Sequence, residues 1–355
     1  MKALAARPPV YLPDTTPIFS NAAFQLLATA MEQECGRPFE DIFTDRILRK
    51  LNMTNSQLLS HSTLSRNILG HDTHLFGNGL ANASFVGEPA ALSLVSTIRD
   101  LSLAGRAMLT SKLITPAETR RWLKPITSTS NIRNAVGRPW EIYHSGGNDS
   151  VADVYTKPGS IGRYSSYFGF APDYDVGFVI LAVDEVKKAP DLNAYVDVAF
   201  YALLEIQKLA YASANVTVVG TYTASSGAGD SKLRINSTDD WPGLAVASLT
   251  LDETDWLAEI AQQAAIKPDD LDFRIYPTNL EDYTSTGKQQ AFRAVIQDES
   301  ALVDAGTPTC ISWRTVDELQ RAELPLDRLI FDFDKKGVAT AVSFPALGMG
   351  FKRQD

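Results

Sequence analysis

Two short stretches of the sequence carry groups that could take part in serine acyl transfer: FSN at residues 19–21 and KPGS at residues 157–160. This chemistry needs a nucleophilic serine, a base beside it, and backbone N–H donors aimed at the developing oxyanion. One solution combines a helix-borne Ser-x-x-Lys, a Tyr-x-Asn loop and a Lys-x-Gly on an edge strand. The lysine of the third motif supplies positive charge, and its glycine lets a substrate lie close against the strand. Lys157 and Gly159 match that third motif.

The elements that would position these residues are predicted to form an α+β domain with an antiparallel sheet. Helical spacing of apolar residues predicts two helices within residues 20–51, the first capped by Ser20. A capping box in TPAE at residues 115–118 starts a later helix. Three β-like runs follow between residues 151 and 183, and a helix from 190 to about 210 closes this half. Helices, then an antiparallel meander, then a final helix are typical of the α+β class.

The sequence pattern changes after residue 214, where about eight short strand candidates alternate with turns. This pattern predicts a small, separate β-barrel or sandwich. We therefore predict two domains, residues 1–212 and residues 215–355. Some aromatic residues of the second domain could line a ligand cavity, but we expect them to be core. They are Tyr222, Trp241, Tyr276 and Trp313.

Composition and charge exclude several classes of partner. The net charge is −9 and the pI is near 5.1, and Lys and Arg do not cluster, so neither nucleic acid nor an anionic membrane is an expected partner. The first residues lack the apolar run of a secretory signal. N-x-S/T sequons nevertheless suggest a secreted ancestor, so the localisation stays open. The five sequons lie at Asn52, Asn82, Asn148, Asn215 and Asn236.

No metal or cofactor is predicted. His71 and His74 have an i, i+3 spacing that could bind a metal, but they lie in a loop-like segment without a metallo-hydrolase pattern. His144 precedes glycines in a predicted loop and is expected to face solvent. Cys35 and Cys310 are far apart in the sequence and are expected to be two lone, buried thiols rather than a disulfide.

Long segments of the chain resemble a known enzyme family. The segment KPGSIGRYSSYFGFAPDYDVGFVIL, from Lys157, resembles the Lys-Thr-Gly strand and hairpin of class C β-lactamases and related penicillin-binding-protein-like hydrolases. The segment TTPIFSNAAFQLLATAMEQECGRPFEDIFTDRILRKLNMT, from Thr15, resembles their Tyr-Ser-Asn motif and the helix after it. Fungal β-lactamase-like proteins also carry a lipocalin-like C-terminal domain, which residues 215–355 resemble. The resemblance implies a β-lactamase/transpeptidase-like antiparallel sheet with helices, followed by an all-β domain.

The resemblance also implies roles for individual residues. Lys157 and Gly159 would belong to the third motif, and Ser160 would offer a backbone N–H to the oxyanion hole. Asn21 would be the asparagine of the second motif. For Lys157 and Asn21, a solvated lysine at a strand end and a helix-start residue are the alternatives. Phe19 stands where the family has its tyrosine, and it lacks the phenol oxygen that moves the proton. The implied partner is a small-molecule acyl substrate, or what remains of its site.

The nucleophile is the second departure from the family pattern. No Ser-x-x-Lys precedes Phe19, which has 18 residues upstream. The one formal match, Ser285 to Lys288, lies in a polar loop and contains a glycine. We therefore expect an N-terminally truncated relative that is catalytically impaired or inactive as this chain. Loss of a buried helix would also expose apolar side chains, each worth about 1.5–3 kcal/mol, so poor solubility or self-association is predicted.

Two alternatives stay open. One is an active serine hydrolase or acyltransferase that acts on an ester, thioester or lactam in fungal secondary metabolism; the sequons fit this reading and Phe19 counts against it. The other is a binding or interaction module, in which the C-terminal domain holds an apolar ligand or a partner. An exposed apolar patch or a dry cavity in that domain would favour the second alternative.

Overall fold

The computed structural model describes residue 6 and residues 8–58, 89–146, 151–161, 164–183, 191–224, 230–238, 242–301 and 315–354. The chain forms two compact units, Met1–Leu203 and Leu204–Asp355. The boundary between them falls inside a long helix, Asn193–Thr217.

The first unit begins with the two predicted helices. Helix α1 is Asn21–Cys35, and Ser20 caps it because its Oγ accepts a hydrogen bond from the Ala23 N–H at 3.2 Å. Gly36 ends this helix in the left-handed conformation, with φ of 65°, which glycine adopts without strain. The second helical stretch consists of α2 (Phe39–Phe43), a π-helical turn (Thr44–Leu48) and α3 (Arg49–Leu51).

The buried side chain of Asp100 connects the loop at Asn55 and Ser56 to the helix Ile98–Leu109, which contains Asp100. Its Oδ2 accepts hydrogen bonds from the Asn55 N–H and the Ser56 hydroxyl, both at 2.8 Å. Thr115 and Glu118 form the predicted capping box, which is thereby confirmed. The elements in this region are β1 (Gln57–Leu58), α4 (Pro89–Leu92), β2 (Leu94–Val95), α5 (Ile98–Leu109) and α6 (Pro116–Trp122).

An antiparallel sheet of six strands follows, and it contains the three strands predicted between residues 151 and 183. The strands lie side by side in chain order. They are β3 (Thr127–Ser128), β4 (Asn134–Val136), β5 (Glu141–Gly146), β6 (Val151–Ile161), β7 (Tyr164–Ala171) and β8 (Val176–Val183). Helix α7 (Asn193–Thr217) comes next and extends past the predicted end near residue 210. No helix among the described residues combines the length and the apolar character needed to cross a membrane.

Aromatic side chains pack against both faces of this sheet. On one face, Trp140 is buried and its ring lies 5.0 Å from that of Phe170, centroid to centroid. A Cβ on Gly105 of α5 would come within 3.3 Å of the Phe168 ring, so glycine allows the helix to approach this face closely. On the other face, the ring of Phe200 on α7 stacks on that of Tyr143, with the ring centroids 4.9 Å apart.

The second unit is a closed antiparallel β-barrel. Its nine strands pair in the order β10-β9-β19-β18-β17-β14-β13-β11-β12, and a further pairing of β10 with β11 closes the ring. Besides these nine strands the unit contains α8 and a separate two-stranded sheet of β15 and β16. The elements are β9 (Gly220–Ala224), β10 (Lys232–Ser237), β11 (Leu244–Leu251), β12 (Thr254–Asp255), α8 (Trp256–Gln263), β13 (Leu271–Tyr283), β14 (Gly287–Asp298), β15 (Gln320–Arg321), β16 (Leu324–Pro325), β17 (Arg328–Asp334), β18 (Ala339–Phe344) and β19 (Met349–Arg353). The predicted β-rich domain is therefore a barrel rather than a sandwich.

Large apolar side chains fill the interior of this barrel. The largest fully buried ones include Tyr222, Phe331, Phe344 and Phe351. Tyr222 is core, as predicted, and Tyr276 is half-buried. Trp241 and Trp313 lie outside the described residues.

Candidate functional site

Residues 157–160 form a strand segment with one unpaired edge. Strand β6 pairs with β7 along the whole of this segment. Its pairing with β5 ends at Thr156, opposite Glu141, because the chain before Glu141 turns back toward β4. No strand among the described residues pairs with residues 157–160 on that side. The Lys-x-Gly motif therefore lies on an open strand edge.

The backbone N–H of Ser160 points toward this open edge. The His144 N–H donates to the Arg133 carbonyl at 2.9 Å, on the β4 side of β5. Successive residues of an antiparallel strand direct their backbone groups to alternate sides, so those of Glu141 point to β6 and those of its partner Thr156 point back to β5. The backbone groups of every second residue after Thr156, which are those of Pro158 and Ser160, therefore lie on the same side of β6 as those of Thr156. Ser160 thus directs its N–H past the end of β5, where a ligand carbonyl could accept it.

Proline and glycine suit the two positions before Ser160. Pro158 has no N–H, and its nitrogen faces the open edge, so the sheet loses no hydrogen bond there. A Cβ on Gly159 would lie 2.6 Å from the Ser166 Oγ on β7, so even a methyl group would require Ser166 to shift. The open edge therefore presents the Pro158 carbonyl as an acceptor and the Ser160 N–H as a donor.

The Lys157 side chain has a carboxylate and an aromatic ring as neighbours. Its Nζ donates to Glu141 Oε1 at 2.5 Å. The same Nζ lies 4.8 Å from the centre of the Phe19 ring, within the range of a cation–π contact. The Lys157 side chain is 27% exposed and that of Glu141 is 51% exposed. The structure thus brings the second and third motifs together through Phe19 and Lys157.

Glu141 is a site residue that the sequence analysis missed. The Thr156 hydroxyl donates to the Glu141 carbonyl at 2.7 Å, and the Gly137 N–H donates to the Trp140 carbonyl at 2.7 Å. These bonds fix the backbone on both sides of the point where β5 begins. No motif marks Glu141, because its nearness to Lys157 depends on the register between β5 and β6.

Residues 19–21 form the start of helix α1. Asn21 is the first helical residue, and the capping hydrogen bond comes from Ser20 rather than from Asn21. This placement agrees with the reading of Asn21 as a helix-start residue. Phe19 precedes the cap, and 62% of its surface is exposed. Its ring is the group that faces Lys157, and it carries no atom that can accept or donate a proton.

Tyrosines on β6 and β7 lie beside the site and stay protonated. Burial raises the pKa of Tyr167, and the nearby carboxylates of Glu141 and Asp197 raise it further, against a hydrogen bond with Thr156 that lowers it. Burial also raises the pKa of Tyr155 to about 12, and its hydroxyl donates to the Leu123 carbonyl. Neither tyrosine is therefore a ready source of phenolate at neutral pH.

Two expectations about single residues are wrong. His144 was predicted to face solvent in a loop, but it lies on β5 and is half-buried, with Nδ1 2.7 Å from Asp153 Oδ1 on β6. Gly146 is the last residue of β5 and pairs with Val151 on β6. Cys35 was expected to be buried, but it is the last residue of α1 and is exposed. No group of three or more His, Cys, Asp or Glu side chains that could hold a metal occurs among the described residues.

The remaining candidates lie elsewhere or outside the described residues. Ser285 lies in the turn between β13 and β14 of the barrel. Lys288 donates to Glu281 Oε1 at 2.7 Å and lies 5.5 Å from the centre of the Phe333 ring. These contacts occupy Lys288 with groups of the barrel. His71, His74 and Cys310 fall outside the described residues.

Comparison with known proteins gives a family match for each part of the chain. Residues 1–201 match the family described as "Beta-lactamase". Residues 210–355 match the family described as "Beta-lactamase-like-like, C-terminal domain". A curated relative, the "Beta-lactamase-like protein" of Arthroderma benhamiae (strain ATCC MYA-4681 / CBS 112371), is 26% identical over 376 residues. The match covers 96% of this chain and 61% of the relative, so the chain spans less than two thirds of the relative's length.

Two solved structures to which this chain shows similarity come from an archaeon and a bacterium. The octameric penicillin-binding protein homologue from Pyrococcus abyssi is 14% identical, with a TM-score of 0.42 over 96% of this chain and 66% of that chain. The D-amino acid amidase from Ochrobactrum anthropi SV3, complexed with D-phenylalanine, is 17% identical, with a TM-score of 0.43 over 56% of this chain and 61% of that chain. The family match over residues 1–201 agrees with the β-lactamase/transpeptidase-like α+β fold that the sequence predicts for the first unit, and the match over residues 210–355 agrees with the predicted all-β C-terminal domain.

Proposed function

Because this chain belongs to the beta-lactamase family, we propose that it recognises small acyl compounds at the open edge of β6 and that its ability to transfer the acyl group is impaired. The Ser160 N–H donates to the carbonyl oxygen of the bound compound. Gly159 keeps this part of the strand free of a side chain. Lys157 supplies the positive charge of the site.

One observation carries this proposal: the ring that lies 4.8 Å from Lys157 Nζ belongs to a phenylalanine. Acyl transfer at such a site needs a group that takes the proton from the nucleophile and returns it to the leaving group. The resemblance assigns that task to a tyrosine at the position of Phe19. A phenylalanine keeps the ring packed against the lysine and removes the oxygen. Recognition is therefore retained while the proton transfer is not.

An active serine hydrolase or acyltransferase is the second candidate. The retained N–H donor at Ser160 favours it, because a donor at that place stabilises a developing oxyanion as well as a ground-state carbonyl. The two candidates differ in one result. An active enzyme forms a covalent acyl-serine, whereas an impaired one binds the acyl compound reversibly.

Intact-protein mass spectrometry distinguishes the two candidates. The full chain is incubated with benzylpenicillin and with a fluorophosphonate probe, beside an active class C β-lactamase as positive control, and turnover of nitrocefin and of p-nitrophenyl acetate is measured in parallel. We expect no covalent adduct and no turnover above a heat-denatured sample. Isothermal titration with benzylpenicillin methyl ester is expected to show saturable binding. An adduct mapped to any serine of this chain would contradict the proposal.

The variant Phe19→Tyr serves as a matched control for the role of the ring. It restores the phenol oxygen without changing the size of the aromatic group. We expect this variant to bind the methyl ester with an affinity within about twofold of the parent, because the cation–π contact is kept and is worth only about 0.5–1 kcal/mol at an exposed site.

We further propose that the chain associates with itself through exposed apolar side chains of helix α1. Leu27 is 60% exposed and Met31 is 43% exposed. Exposed apolar side chains grouped along one element favour association. Sedimentation velocity over a range of concentrations tests this proposal, and Leu27→Glu is expected to shift the population toward the monomer. A monomer at every concentration would contradict it.

A further inference from the structure

We propose that Glu141 sets the charge preference of the β6 edge, so that this edge favours neutral acyl compounds over acyl compounds that carry a carboxylate. This inference rests on the proposed function, because it concerns ligands bound at the same edge. Glu141 positions the Lys157 side chain by accepting its hydrogen bond, and the site thereby discriminates between ligands by their charge.

Lys157 is already paired with a carboxylate of the protein. An ammonium group offers three donors and attracts a carboxylate as a compact positive charge. Here a carboxylate of the protein already accepts one of those hydrogen bonds, at 2.5 Å from Lys157 Nζ. On the other side, the exposed ring of Phe19 limits access to the same Nζ. A ligand carboxylate would therefore compete with Glu141 for Lys157, whereas a ligand carbonyl needs only a remaining donor.

Glu141 is held where this competition must occur. It is the first residue of β5 and lies opposite Thr156, the residue next to Lys157. The hydrogen bond from the Thr156 hydroxyl to the Glu141 carbonyl fixes its backbone. A ligand carboxylate within reach of Lys157 would therefore lie within a few ångströms of a second carboxylate. Like charges at that separation repel each other even when solvent screens them.

Benzylpenicillin and its methyl ester test this inference, because they share one acyl scaffold and differ in a single charge. Isothermal titration at pH 7 gives the ratio of the two dissociation constants, acid over ester, for the full chain and for Glu141→Gln. Glutamine keeps an oxygen that can accept the hydrogen bond from Lys157 but removes the charge. We expect the parent to bind the ester more tightly. We expect Glu141→Gln to lower the ratio about tenfold, which corresponds to about 1.4 kcal/mol.

Glu281→Gln is the matched control. It removes the same single charge from the chain, and Glu281 is paired with Lys288 in the barrel in the same way. We expect it to leave the ratio unchanged, which separates the local effect of Glu141 from the effect of net charge.

The outcomes separate this inference from the proposed function. If the ester binds and Glu141→Gln leaves the ratio unchanged, or if the parent prefers the acid, the role of Glu141 is wrong while the binding site stands. If neither compound binds to the parent or to Glu141→Gln, the proposed function is wrong and this inference with it. Thermal melting of each variant checks that the substitutions leave the fold intact.

Discussion

Two lysines of this chain have the same kinds of neighbour, yet only one lies in a candidate site. Lys157 pairs with a glutamate at 2.5 Å and lies 4.8 Å from a phenylalanine ring. Lys288 in the barrel pairs with a glutamate at 2.7 Å and lies 5.5 Å from a phenylalanine ring. Such ion pairs and cation–π contacts occur on many protein surfaces and contribute little energy. The contacts of a lysine therefore do not by themselves identify a functional site.

The backbone around each lysine makes the difference. Strand β14 is paired on both sides at Lys288, with Tyr283 on β13 and Phe333 on β17. The Phe333 ring belongs to the barrel core and is 8% exposed. On strand β6, by contrast, the pairing with β5 ends at Thr156, so Lys157 is the first residue without a partner on β5. A lysine beside an unpaired strand edge offers a ligand both charge and backbone hydrogen bonds, whereas a lysine within a complete ladder offers charge alone.

The largest difference between the barrel and the open-edge site is expected in the loss of stability when a phenylalanine ring is removed. Phe331→Ala removes a fully buried ring and should lower the free energy of unfolding of the barrel by about 3–5 kcal/mol. Phe19→Ala removes an exposed ring and should change stability by less than about 1 kcal/mol. Urea unfolding followed by circular dichroism measures both changes. Equal losses would mean that Phe19 is part of a core rather than of an open site.

The next effect concerns ligand affinity. Lys157→Ala should weaken binding of benzylpenicillin methyl ester by about 1.5–3 kcal/mol, because a hydrogen bond from a charged donor is lost. Lys288→Ala should leave this affinity unchanged, since β14 has no unpaired edge at that residue. Isothermal titration of the two variants compares them directly. A loss of affinity in Lys288→Ala alone would mean that the ligand binds at the barrel and not at the open edge of β6.

A smaller effect is expected at Tyr222, whose hydroxyl donates to the Val218 carbonyl at 2.5 Å in the barrel core. Tyr222→Phe should cost about 1–2 kcal/mol, because the carbonyl loses its donor. Burial raises the pKa of Tyr222 to about 12, above the value near 10 of an unfolded tyrosine. The folded state thus holds this proton more tightly, so its contribution to stability is complete below about pH 10 and is lost as the pH rises toward 12. Melting of the parent and the variant between pH 8 and pH 11 should show a larger loss in the parent, because Tyr155 and Tyr167, whose pKa values burial also raises, remain in the variant.

The smallest effect is expected at Glu281. Hydrogen bonds from Lys288 and then Tyr283 hold the pKa of Glu281 below its usual range. Its contribution to stability is therefore present above the unfolded pKa of about 4.3 and is lost as the pH falls through the lower folded value. Glu281→Gln should lower stability by less than about 1 kcal/mol at pH 7 and by less still in acid. A melting temperature that differs equally at pH 7 and in acid would contradict this account.

Local signals in the sequence predicted most elements of the fold. The capping residues Thr115 and Glu118 mark a position where side-chain chemistry decides the backbone, and this helix start was predicted correctly. Helix α8 and strand β19 were not predicted. Strand β19 pairs with β9, which lies far earlier in the chain, and no local pattern in the sequence specifies that pairing.

The candidate site was only partly accessible from the sequence. Lys157 and Phe19 are 138 positions apart, and their nearness was implied by a family resemblance rather than by any local pattern. Glu141 and the pairing of His144 with Asp153 depend on the register between β5 and β6, which no single stretch of residues specifies.

The most direct test of the open-edge site is the response of serine backbone amides to a ligand. The full chain is labelled with 15N-serine, the Ser160 and Ser285 signals are assigned from Ser160→Ala and Ser285→Ala, and benzylpenicillin methyl ester is added. We predict that the Ser160 amide shifts most, because its N–H donates to the ligand carbonyl, while the Ser285 amide beside Lys288 does not move. A shift at Ser285 with none at Ser160 would contradict the account.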